Sequence, residues 1–310
     1  MKKSGDVIYK SYKGNKVMAP KKSHLSYRDG RKGQEHPEYQ YLDILAELRN
    51  AKSKQGPQEH GSSALFVREM RFDLSKGYFP LLTTKKMFWK SAAIELLWML
   101  RGDSKLDFMH KHDVHMWDKW ATKEVAEPLG LEEWDTGPIY GPNWIHWKTE
   151  DGREINQIRW VIDGLKEHPE WRRWRITAWN PGNLEKGFLV PCHGDVYFFV
   201  QDGVLSMSMV QRSGDFFIGV PYNIAFYSLM LLMVAQVTGL KLGEFVHVVI
   251  DAHLYNHHRD GTDEQLLREP LPFPQVRLNP KINDIFDFTY DDIELINYKP
   301  HPRIAADADL

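Results

Sequence analysis

Hydrophobic residues recur at helical spacing in three parts of the chain. Residues 39–48 and 156–167 have this pattern, and residues 223–240 form a longer, almost wholly apolar segment. The first two segments predict amphipathic helices, and the third predicts a buried central helix. A fourth helix is predicted over the sequence AAIELLWMLRGD, with Ser91 as its N-cap and Gly102 at its end.

Other segments have the alternating or short apolar patterns of β-strands. Strands are predicted at residues 64–74, 174–178, 196–200, 204–211 and 246–250. The sequence Gln201-Asp202-Gly203 separates two of them and predicts a β-hairpin. Residues 51–63 are predicted to be a loop, because they contain Gly56-Pro57 and Gly61. Helices and hairpins do not follow a regular βαβ order, so the sequence predicts the α+β class.

The first 36 residues differ in composition from the rest of the chain. They contain ten Lys or Arg and three Asp or Glu, with few apolar residues. Such a segment cannot offset the entropy of ordering by burial, so we predict a basic, flexible extension over residues 1–36 and one folded domain over residues 37–310. The alternative is a basic arm that contacts nucleic acid or another protein.

Composition narrows the functional class. A formal charge of −2 in 310 residues argues against a general nucleic-acid binder, and 42% hydrophobic residues suffice for a sizeable core. The N-terminus lacks the apolar core of a signal peptide, and residues 224–237 are a short stretch for a membrane span. The single cysteine cannot form an internal disulfide, and no spaced Cys/His set predicts a metal. We expect a cytoplasmic protein without membrane contact or a metal.

Several side chains are candidates for chemistry, each with an ordinary structural alternative. Cys192 is either a small buried residue or a nucleophile. Glu95, on an apolar helix, lies either at the helix edge or in the core with a raised pKa. Trp117 and Trp120, three residues apart, share one helical face as core residues or as a stacking platform.

Basic residues beside turns or small polar residues are either surface ion pairs or anion contacts. They are Lys85, Arg172, Arg173 and Arg212. Arg212-Ser213 suits a phosphate, because a guanidinium and a hydroxyl both donate to its oxygens. His253 and Tyr255 can donate to a sugar hydroxyl. The sequence contains neither GxxxxGK[ST] nor GxGxxG, which argues against an ATPase loop and a dinucleotide fold.

Longer motifs resemble one family. They are PCH at 191–193, QRSGDFFIGVPYNIAFY at 211–227, DAHLYNHH at 251–258, MRFDLSKGYFPLLTTKK at 70–86, ELLWMLRGDS at 95–104, WDKWA at 117–121 and GPIYG at 137–141. From residue 39 to the C-terminus, their order and spacing resemble the thymidylate synthase family, apart from an acidic insert near residues 122–135.

The resemblance implies an α+β fold with a large sheet that forms a homodimer. It also implies transfer of a one-carbon unit from 5,10-methylenetetrahydrofolate to C5 of a pyrimidine deoxynucleotide, without a metal. Cys192 would attack C6 of the pyrimidine as a thiolate, which the cationic Arg212 would favour. Asn223 would accept from N3–H and donate to O4, a pattern that fits uracil and therefore dUMP.

The resemblance also assigns the other site residues. The implied substrate-binding residues are Arg212, Ser213, Gln211, Asn223, His253 and Tyr255, with Arg172 and Arg173 reaching in from the other subunit. The implied folate contacts are Trp117, Asp215, Lys85 and Gly219. Besides Cys192, the implied catalytic residues are Glu95, Tyr140, His193 and Asp215. Glu95 and Tyr140 would order water for proton transfer at O4 and C5.

Three parts of the sequence depart from the family pattern. Pro57 stands where the family has a phosphate-binding Arg in an Asp-Arg-Thr-Gly-Thr-Gly loop, and Lys54 or His60 are candidate replacements. After Gly194-Asp195, Tyr197 stands in place of a Gln beside the nucleotide. The C-terminal sequence ADADL is more acidic than the usual apolar tail, which shields the reacting carbon from water.

These departures bear on the fate of the methylene group at C5. Hydride from tetrahydrofolate gives a methyl group, whereas water gives a hydroxymethyl group, as in the phage-type deoxypyrimidine hydroxymethylases of the same family. The synthase is favoured because Trp117, Glu95 and Asn223 are retained. An alternative of another class is a non-catalytic nucleic-acid-binding relative that uses the basic extension.

Overall fold

The computed structural model describes residues 8–10, 16–18, 36–54 and 61–306. The helices in these ranges are α1 (Tyr39–Asn50), α2 (Trp89–Leu100), α3 (Asp107–Lys111), α4 (Lys123–Ala126), α5 (Gly141–Ile145), α6 (Gln157–Glu167), α7 (Gly219–Thr238) and α8 (Arg259–Leu266). The strands are β1 (Ile8–Lys10), β2 (Lys16–Met18), β3 (Ser53–Lys54), β4 (Ser62–Asp73), β5 (Trp147–Lys148), β6 (Glu154–Ile155), β7 (Arg175–Ile176), β8 (Asp195–Gln201), β9 (Val204–Asp215), β10 (Lys241–Tyr255), β11 (Gln275–Leu278) and β12 (Ile293–Ile296).

The predicted helices are confirmed, although some of their ends differ. α1 and α6 cover the segments with helical spacing, and α7 begins at Gly219 instead of residue 223. Ser91 is not the N-cap of α2, because its backbone N–H donates to the carbonyl of Phe88 (3.1 Å) inside the first helical turn. The helix begins at Trp89, whose ring packs edge-on against Phe79 with centroids 5.2 Å apart. Burial of this indole extends the helix towards the N-terminus.

β8 and β9 confirm the predicted hairpin. Asp202 and Gly203 connect the two strands with φ values of 52° and 74°, as a two-residue type I′ turn requires. β4 and β10 cover their predicted strands and extend beyond them. Residues 51–63 are not wholly a loop, because Ser53 and Lys54 pair with the start of β4 and so satisfy the hydrogen bonds of its edge.

Six strands form the main sheet, in the order β3-β4-β10-β9-β8-β7. β9 and β10 run parallel, and every other neighbouring pair is antiparallel. α7 packs against β9 and β10, and α2 and α6 pack against α7. The result is the predicted α+β fold, a large mixed sheet flanked by helices.

α7 is the central helix of the core. By length and composition alone it resembles a membrane span, but 83% of its apolar 18-residue window is buried inside the protein. A helix that is apolar all round belongs in the core of a large domain when other elements enclose it. Its N-terminus follows directly on the end of β9, which brings the polar residues of both elements together.

The opposite face of the main sheet carries exposed aromatic side chains. In β8, Val196 and Phe198 are buried, whereas Tyr197 and Phe199 are 42% and 60% exposed. Alternation along a strand directs the second pair away from α7. An exposed apolar face of this kind is typical of a surface that contacts another protein.

A buried ion pair joins α1 to α8. Arg49 donates from Nε and Nη2 to the two carboxylate oxygens of Asp263 (2.8 and 2.9 Å), and these side chains are 5% and 13% exposed. Arg68 of β4 makes a similar contact with Glu47 of α1 (2.7 Å), but its side chains are 29% and 49% exposed. Water screens the second pair, so the two pairs differ in their effect on stability.

Arg49→Ala should lower the free energy of unfolding by about 3 kcal/mol, because it removes two guanidinium hydrogen bonds from a buried carboxylate. The matched control, Arg68→Ala, should cost about 0–1 kcal/mol. Urea denaturation followed by tryptophan fluorescence measures both variants. Equal losses in the two would contradict the assigned difference between the pairs.

Candidate active site

Arg212 of β9 holds Cys192, which lies on the connection that enters β8. The Arg212 backbone N–H donates to the Cys192 carbonyl (2.8 Å). Its guanidinium donates to the carbonyls of Val190 and Pro191 (3.2 and 3.3 Å), and Nη2 lies 3.4 Å from Cys192 Sγ. Arg212 therefore fixes the segment that carries the thiol and brings positive charge to the sulfur.

Burial and Arg212 act on the Cys192 thiol in opposite directions. Desolvation raises the pKa of Cys192 above its ordinary value, and the Arg212 charge opposes that rise. The effect expected of Arg212 therefore has the predicted sign, but burial outweighs it. The thiol is mainly protonated at neutral pH, so its proton must leave when the sulfur attacks.

Tyr140 and His193 lie beside Cys192. The Cys192 backbone N–H donates to the Tyr140 hydroxyl (3.1 Å), and the Tyr140 ring stacks on the His193 imidazole with centroids 4.2 Å apart. His193 Nδ1 lies 2.6 Å from the Tyr227 hydroxyl. Burial lowers the pKa of His193 to about 3, so this imidazole is neutral and adds no charge at the sulfur.

Glu95 is buried in α2, which is one of the two alternatives that the sequence left open. Only 4% of the residue is exposed, and its Oε1 accepts from Trp117 Nε1 (2.8 Å). Desolvation raises the pKa of Glu95 to about 7, and the hydrogen bond from Trp117 opposes the rise. A carboxyl that titrates near neutrality can both donate and accept a proton.

Trp117 links this carboxyl to the residues around Cys192. It lies on a turn and not on the predicted helix, although its ring still contacts Trp120 (centroids 5.6 Å apart). The Trp117 and Tyr140 rings have centroids 6.4 Å apart. Glu95 and Cys192 therefore belong to one contiguous group of side chains, joined through Trp117 and Tyr140.

Asn223 ends a buried chain of hydrogen bonds. Gln211 Nε2 donates to Asn223 Oδ1 (3.0 Å) and to the Ser213 carbonyl (2.9 Å). Gln211 Oε1 lies 2.8 Å from His247 Nε2. Burial lowers the pKa of His247 to about 3, so its imidazole is neutral and donates from Nε2 to the Gln211 oxygen.

This chain sets the orientation of the Asn223 amide. Because the Gln211 oxygen accepts from His247, the Gln211 NH₂ group faces Asn223, whose Oδ1 is then an acceptor. Asn223 Nδ2 is a donor, and Oδ1 keeps a second lone pair. A ligand that offers a donor next to an acceptor would match both.

Asp215, Gly219 and Lys85 surround Phe217, where β9 meets α7. Asp215 Oδ1 accepts from the Phe217 backbone N–H (2.9 Å), and a Cβ built on Gly219 would lie 3.9 Å from Asp215 Cβ. Lys85 is buried, and its Nζ donates to the Phe217 carbonyl and lies 3.9 Å from the centroid of the Phe217 ring. Burial lowers the pKa of Lys85 to about 7, although the Asp215 charge opposes the shift.

The pairing of β9 with β10 brings further candidates to the same edge. His253 pairs with Asp215, and Asp251 pairs with Ser213. His253 and Tyr255, two residues apart on β10, have ring centroids 5.1 Å apart. The half-buried Ser213 therefore lies on a strand next to these two donors.

Arg172 and Arg173 lie apart from this group. Both are exposed on the loop before β7, and the Arg173 guanidinium lies over the Trp171 ring (4.3 Å to the centroid). Neither forms an ion pair or a side-chain hydrogen bond with any residue that the structure describes. Their predicted role at another subunit's site stays a prediction.

Gly194 and Asp195, two residues that differ from the family pattern after Cys192, stabilise the local structure. Gly194 has a φ of 103°, and a Cβ there would lie 2.6 Å from Ala178 Cβ, so glycine is required. Asp195 accepts from the Thr177 hydroxyl and from Arg175 Nη2 (3.1 Å), which ties β8 to the edge strand β7.

Tyr197 is 42% exposed on β8, and its expected position beside the nucleotide stays a prediction. It pairs with Ser208 and so faces away from the side of β9 that carries Gln211, with Arg175 over its ring (5.2 Å to the centroid). Lys54 is exposed in β3. The remaining departures, at Pro57, His60 and residues 307–310, lie outside the described residues.

Sequence reasoning missed three residues around the site. His247 occupies a buried position of β10, where the alternating pattern called for an apolar side chain. Tyr227 follows Asn223 by one helical turn, so its side chain points in the same direction. The Arg212 guanidinium lies over the Trp179 ring (5.8 Å to the centroid), a contact between distant parts of the chain that no local pattern predicts.

The side chains of the site indicate the class of enzyme. A nucleophile beside one cation, a carboxyl that titrates near neutrality and an oriented amide suit covalent catalysis on a small polar ring. The family model described as thymidylate synthase matches residues 39–309, and the chain belongs to that family. Its members use methylenetetrahydrofolate and act on dUMP, either by methylation at C5 or, in related enzymes, by hydroxymethylation.

Glu95→Gln should change how stability depends on pH. The folded protein holds the Glu95 proton up to a pKa of about 7, against an ordinary value of 4.5, so the wild type loses stability as pH rises between those values. The loss is about 3 kcal/mol when ionisation is complete. A glutamine at position 95 does not titrate, so the variant does not lose this stability as pH rises.

Urea denaturation of both proteins at about pH 5 and about pH 8 measures this difference, because the two values bracket the shifted pKa. The variant should gain stability relative to the wild type at the higher pH. Glu47→Gln, at an exposed position of α1, is the matched control. A stability difference between Glu95→Gln and the wild type that is the same at both pH values would contradict the assignment.

Proposed function

We propose that this protein transfers a one-carbon unit from 5,10-methylenetetrahydrofolate to C5 of dUMP and reduces it, giving dTMP and dihydrofolate. The observation that carries the choice of substrate is the Asn223 amide, oriented by Gln211 and His247. In that orientation Oδ1 accepts from N3–H of uracil and Nδ2 donates to O4. Cytosine presents an acceptor at N3 and a donor at N4, so the same amide mismatches it.

Cys192 begins the reaction by bonding through Sγ to C6 as the thiol proton leaves. The electron pair of the C5–C6 double bond then moves towards C5 and O4. Arg212 supports the thiolate, and Asn223 donates to the oxygen that gains negative charge. C5 bonds the methylene carbon as the bond from that carbon to one folate nitrogen breaks. C5 then loses its proton and the bond to the second folate nitrogen breaks, which leaves a methylene group on C5 and frees tetrahydrofolate. Hydride from tetrahydrofolate would reduce this methylene to methyl as the electron pair shifts back and expels the Cys192 thiolate from C6, giving dTMP and dihydrofolate.

Glu95 handles protons at O4 and C5 in this scheme. Its pKa of about 7 lets it hold or release a proton at neutral pH with little cost in either direction. Trp117 fixes one carboxylate oxygen, so the other is available to a water molecule or the substrate. The Tyr140 hydroxyl, next to the Cys192 backbone, would hold the same water.

The nucleotide's phosphate and sugar fit residues at the end of β9 and β10. Arg212 and Ser213 donate to the phosphate, and His253 and Tyr255 donate to the 3′-hydroxyl. Arg212 has five N–H donors, so a phosphate contact and the contact with Cys192 are compatible. The register that pairs His253 with Asp215 supports this grouping.

The residues assigned to the folate fit a pterin and its anionic tail. Asp215 uses Oδ1 for the Phe217 N–H, and its second oxygen suits the N–H donors of a pterin ring beside Gly219. Trp117 offers an indole for stacking. Lys85 is buried against Phe217, so it reaches an anionic tail only if its side chain rotates outward. When bound, the folate supplies the carbon and the hydride.

Reduction, and not hydration, fits the surroundings of Cys192. Glu95 and Trp117 are 4% and 8% exposed, which keeps bulk solvent, as distinct from the one ordered water at Glu95, away from this side of the site. Mass analysis of the nucleotide formed from dUMP and methylenetetrahydrofolate tests the proposal. We expect dTMP with rising dihydrofolate absorbance, whereas hydroxymethyl-dUMP with tetrahydrofolate would overturn it.

The active form in this proposal is a cytoplasmic homodimer. The exposed Tyr197 and Phe199 of β8 supply an apolar face for a second copy. Arg172 and Arg173, exposed and without carboxylate partners in the described chain, would then reach the partner's phosphate site. The phosphate site would then contain Arg212 of one subunit together with Arg172 and Arg173 of the other. The dimer would therefore be necessary for activity.

Asn223→Asp should reverse the substrate preference, because a carboxyl group can accept from the 4-amino group of cytosine. The kcat/KM for dUMP should fall by about 100-fold or more, since a buried partner of the base is then mismatched. Competition between dUMP and dCMP measures selectivity. Asn283→Asp adds the same charge at an exposed position and should leave selectivity unchanged. Unaltered selectivity in Asn223→Asp would refute its role in reading the base.

Mixing two inactive variants should restore activity if Arg172 and Arg173 act across the dimer. Cys192→Ser and the double variant Arg172→Ala, Arg173→Ala should each be inactive alone. A mixed dimer retains one intact site, so an equal mixture should recover about a quarter of wild-type activity after subunit exchange. Recovery of none, when mass spectrometry shows mixed dimers, would exclude the shared site.

A further inference from the structure

His110, His115 and Asp118 converge on one point beside the Trp117 turn. His110 Nε2 lies 2.8 Å from Asp118 Oδ1, and His115 Nδ1 lies 2.8 Å from Asp118 Oδ2. One atom from each of the three side chains lies within 4.8 Å of the others. Neither histidine has a part in the proposed transfer reaction.

Backbone hydrogen bonds hold the three residues in this arrangement. The N–H groups of Asp113 and Val114 donate to the carbonyls of His110 and Met109 (2.9 and 3.0 Å), which closes a tight turn after α3. Asp113 has a φ of 56°, a left-handed conformation that Asp tolerates better than most residues. The turn returns His115 over His110, with ring centroids 5.2 Å apart.

We propose that His110, His115 and Asp118 bind one divalent transition-metal ion of the zinc class. Two imidazole nitrogens and one carboxylate oxygen are the donor set of an open zinc site, with the fourth position left to water or an exogenous ligand. Donor atoms around a tetrahedral zinc ion lie about 3.3 Å apart, as Zn–N distances of about 2.0 Å require. The two imidazole nitrogens lie 2.8 Å from different oxygens of Asp118, so rotation of this carboxylate would place one oxygen and both nitrogens around an ion.

The contacts between imidazole nitrogens and carboxylate oxygens in the cluster support a bound metal ion. Each imidazole nitrogen faces a carboxylate oxygen at 2.8 Å, so a proton or a metal ion must lie between the two atoms. His115 Nε2 lies 3.5 Å from Asp113 Oδ1 on the other side of the ring. A carboxylate on the distal nitrogen holds its proton there and turns Nδ1 towards a metal, which is the usual outer contact of a ligating histidine.

The ion would tie α3 to the Trp117-Asp118 turn. Asp118 is the residue directly after Trp117, whose indole donates to Glu95. A metal at the cluster is therefore a structural clamp next to the site and not a reactant in it. The spacing His-x₄-His-x₂-Asp is not a familiar zinc motif, so a search for clustered Cys and His in the sequence passes over it.

Metal titration of the full-length protein, stripped first with a chelator, tests the proposal. Zn²⁺ should bind at one equivalent by calorimetry. Co²⁺ should give the visible absorption of a four-coordinate nitrogen and oxygen site, without a sulfur-to-cobalt charge-transfer band. That band would instead report binding at Cys192 and would overturn the assignment.

Three variants make the test specific. His115→Gln, at an exposed ring, should abolish the one-equivalent binding. Asp113→Asn keeps the left-handed turn and should weaken Zn²⁺ about tenfold or more, as loss of an outer carboxylate does. The matched control is His146→Gln, because among the described residues the His146 ring pairs with one carboxylate, that of Glu154 (2.7 Å).

The control should bind Zn²⁺ like the wild type. Equal Zn²⁺ affinities in the wild type and all three variants would contradict the proposed site, and so would an affinity that Asp113→Asn leaves unchanged. The cluster would then be held together by hydrogen bonds alone. Circular dichroism of each variant establishes that it is folded. Because the readout is metal binding, a negative result leaves the proposed nucleotide chemistry untouched.

Discussion

The contact between Arg212 and Cys192 constrains the whole site. Backbone and guanidinium groups of Arg212 hold three successive residues, Val190, Pro191 and Cys192, against the end of β9. The same residue supplies the positive charge that opposes the rise of the thiol pKa on burial. A buried thiol without this cation would be inert, and an exposed one would lose the dry surroundings that strengthen electrostatic effects. The register of β9 with its neighbours provides both burial of the thiol and a cation beside it.

Burial has a second consequence, which is to favour the neutral form of three other polar groups of the site. His193 and His247 both have pKa values of about 3, and Glu95 holds a proton up to about pH 7. Neutral groups in a core act through directed hydrogen bonds and not through charge. The relay from His247 through Gln211 to Asn223 is therefore a device for recognition, whereas the buried carboxyl of Glu95 is suited to moving protons. Burial is thus the common cause of both roles, recognition by Asn223 and proton transfer by Glu95.

The sequence predicts local features better than those that depend on packing. Alternation and the Asp202-Gly203 turn were enough to predict the β8–β9 hairpin, because a two-residue turn and its strands are encoded within a few residues. The start of α2 and the net shift of the Cys192 pKa could not be predicted, because both follow from contacts with distant residues. Motif resemblance gave the candidate residues, but it gave neither the support from His247 nor the outward direction of Tyr197.

The central claim is that Cys192 bonds covalently to the pyrimidine, and trapping that bond tests it most directly. Incubation with 5-fluoro-dUMP and methylenetetrahydrofolate should stop the reaction after C5 gains the carbon, because fluorine cannot leave C5 as a proton does. Mass spectrometry of the denatured, digested protein should then find nucleotide and folate on the peptide that contains Cys192, and none in Cys192→Ser. No adduct under turnover conditions, or an adduct on another residue, would contradict the account.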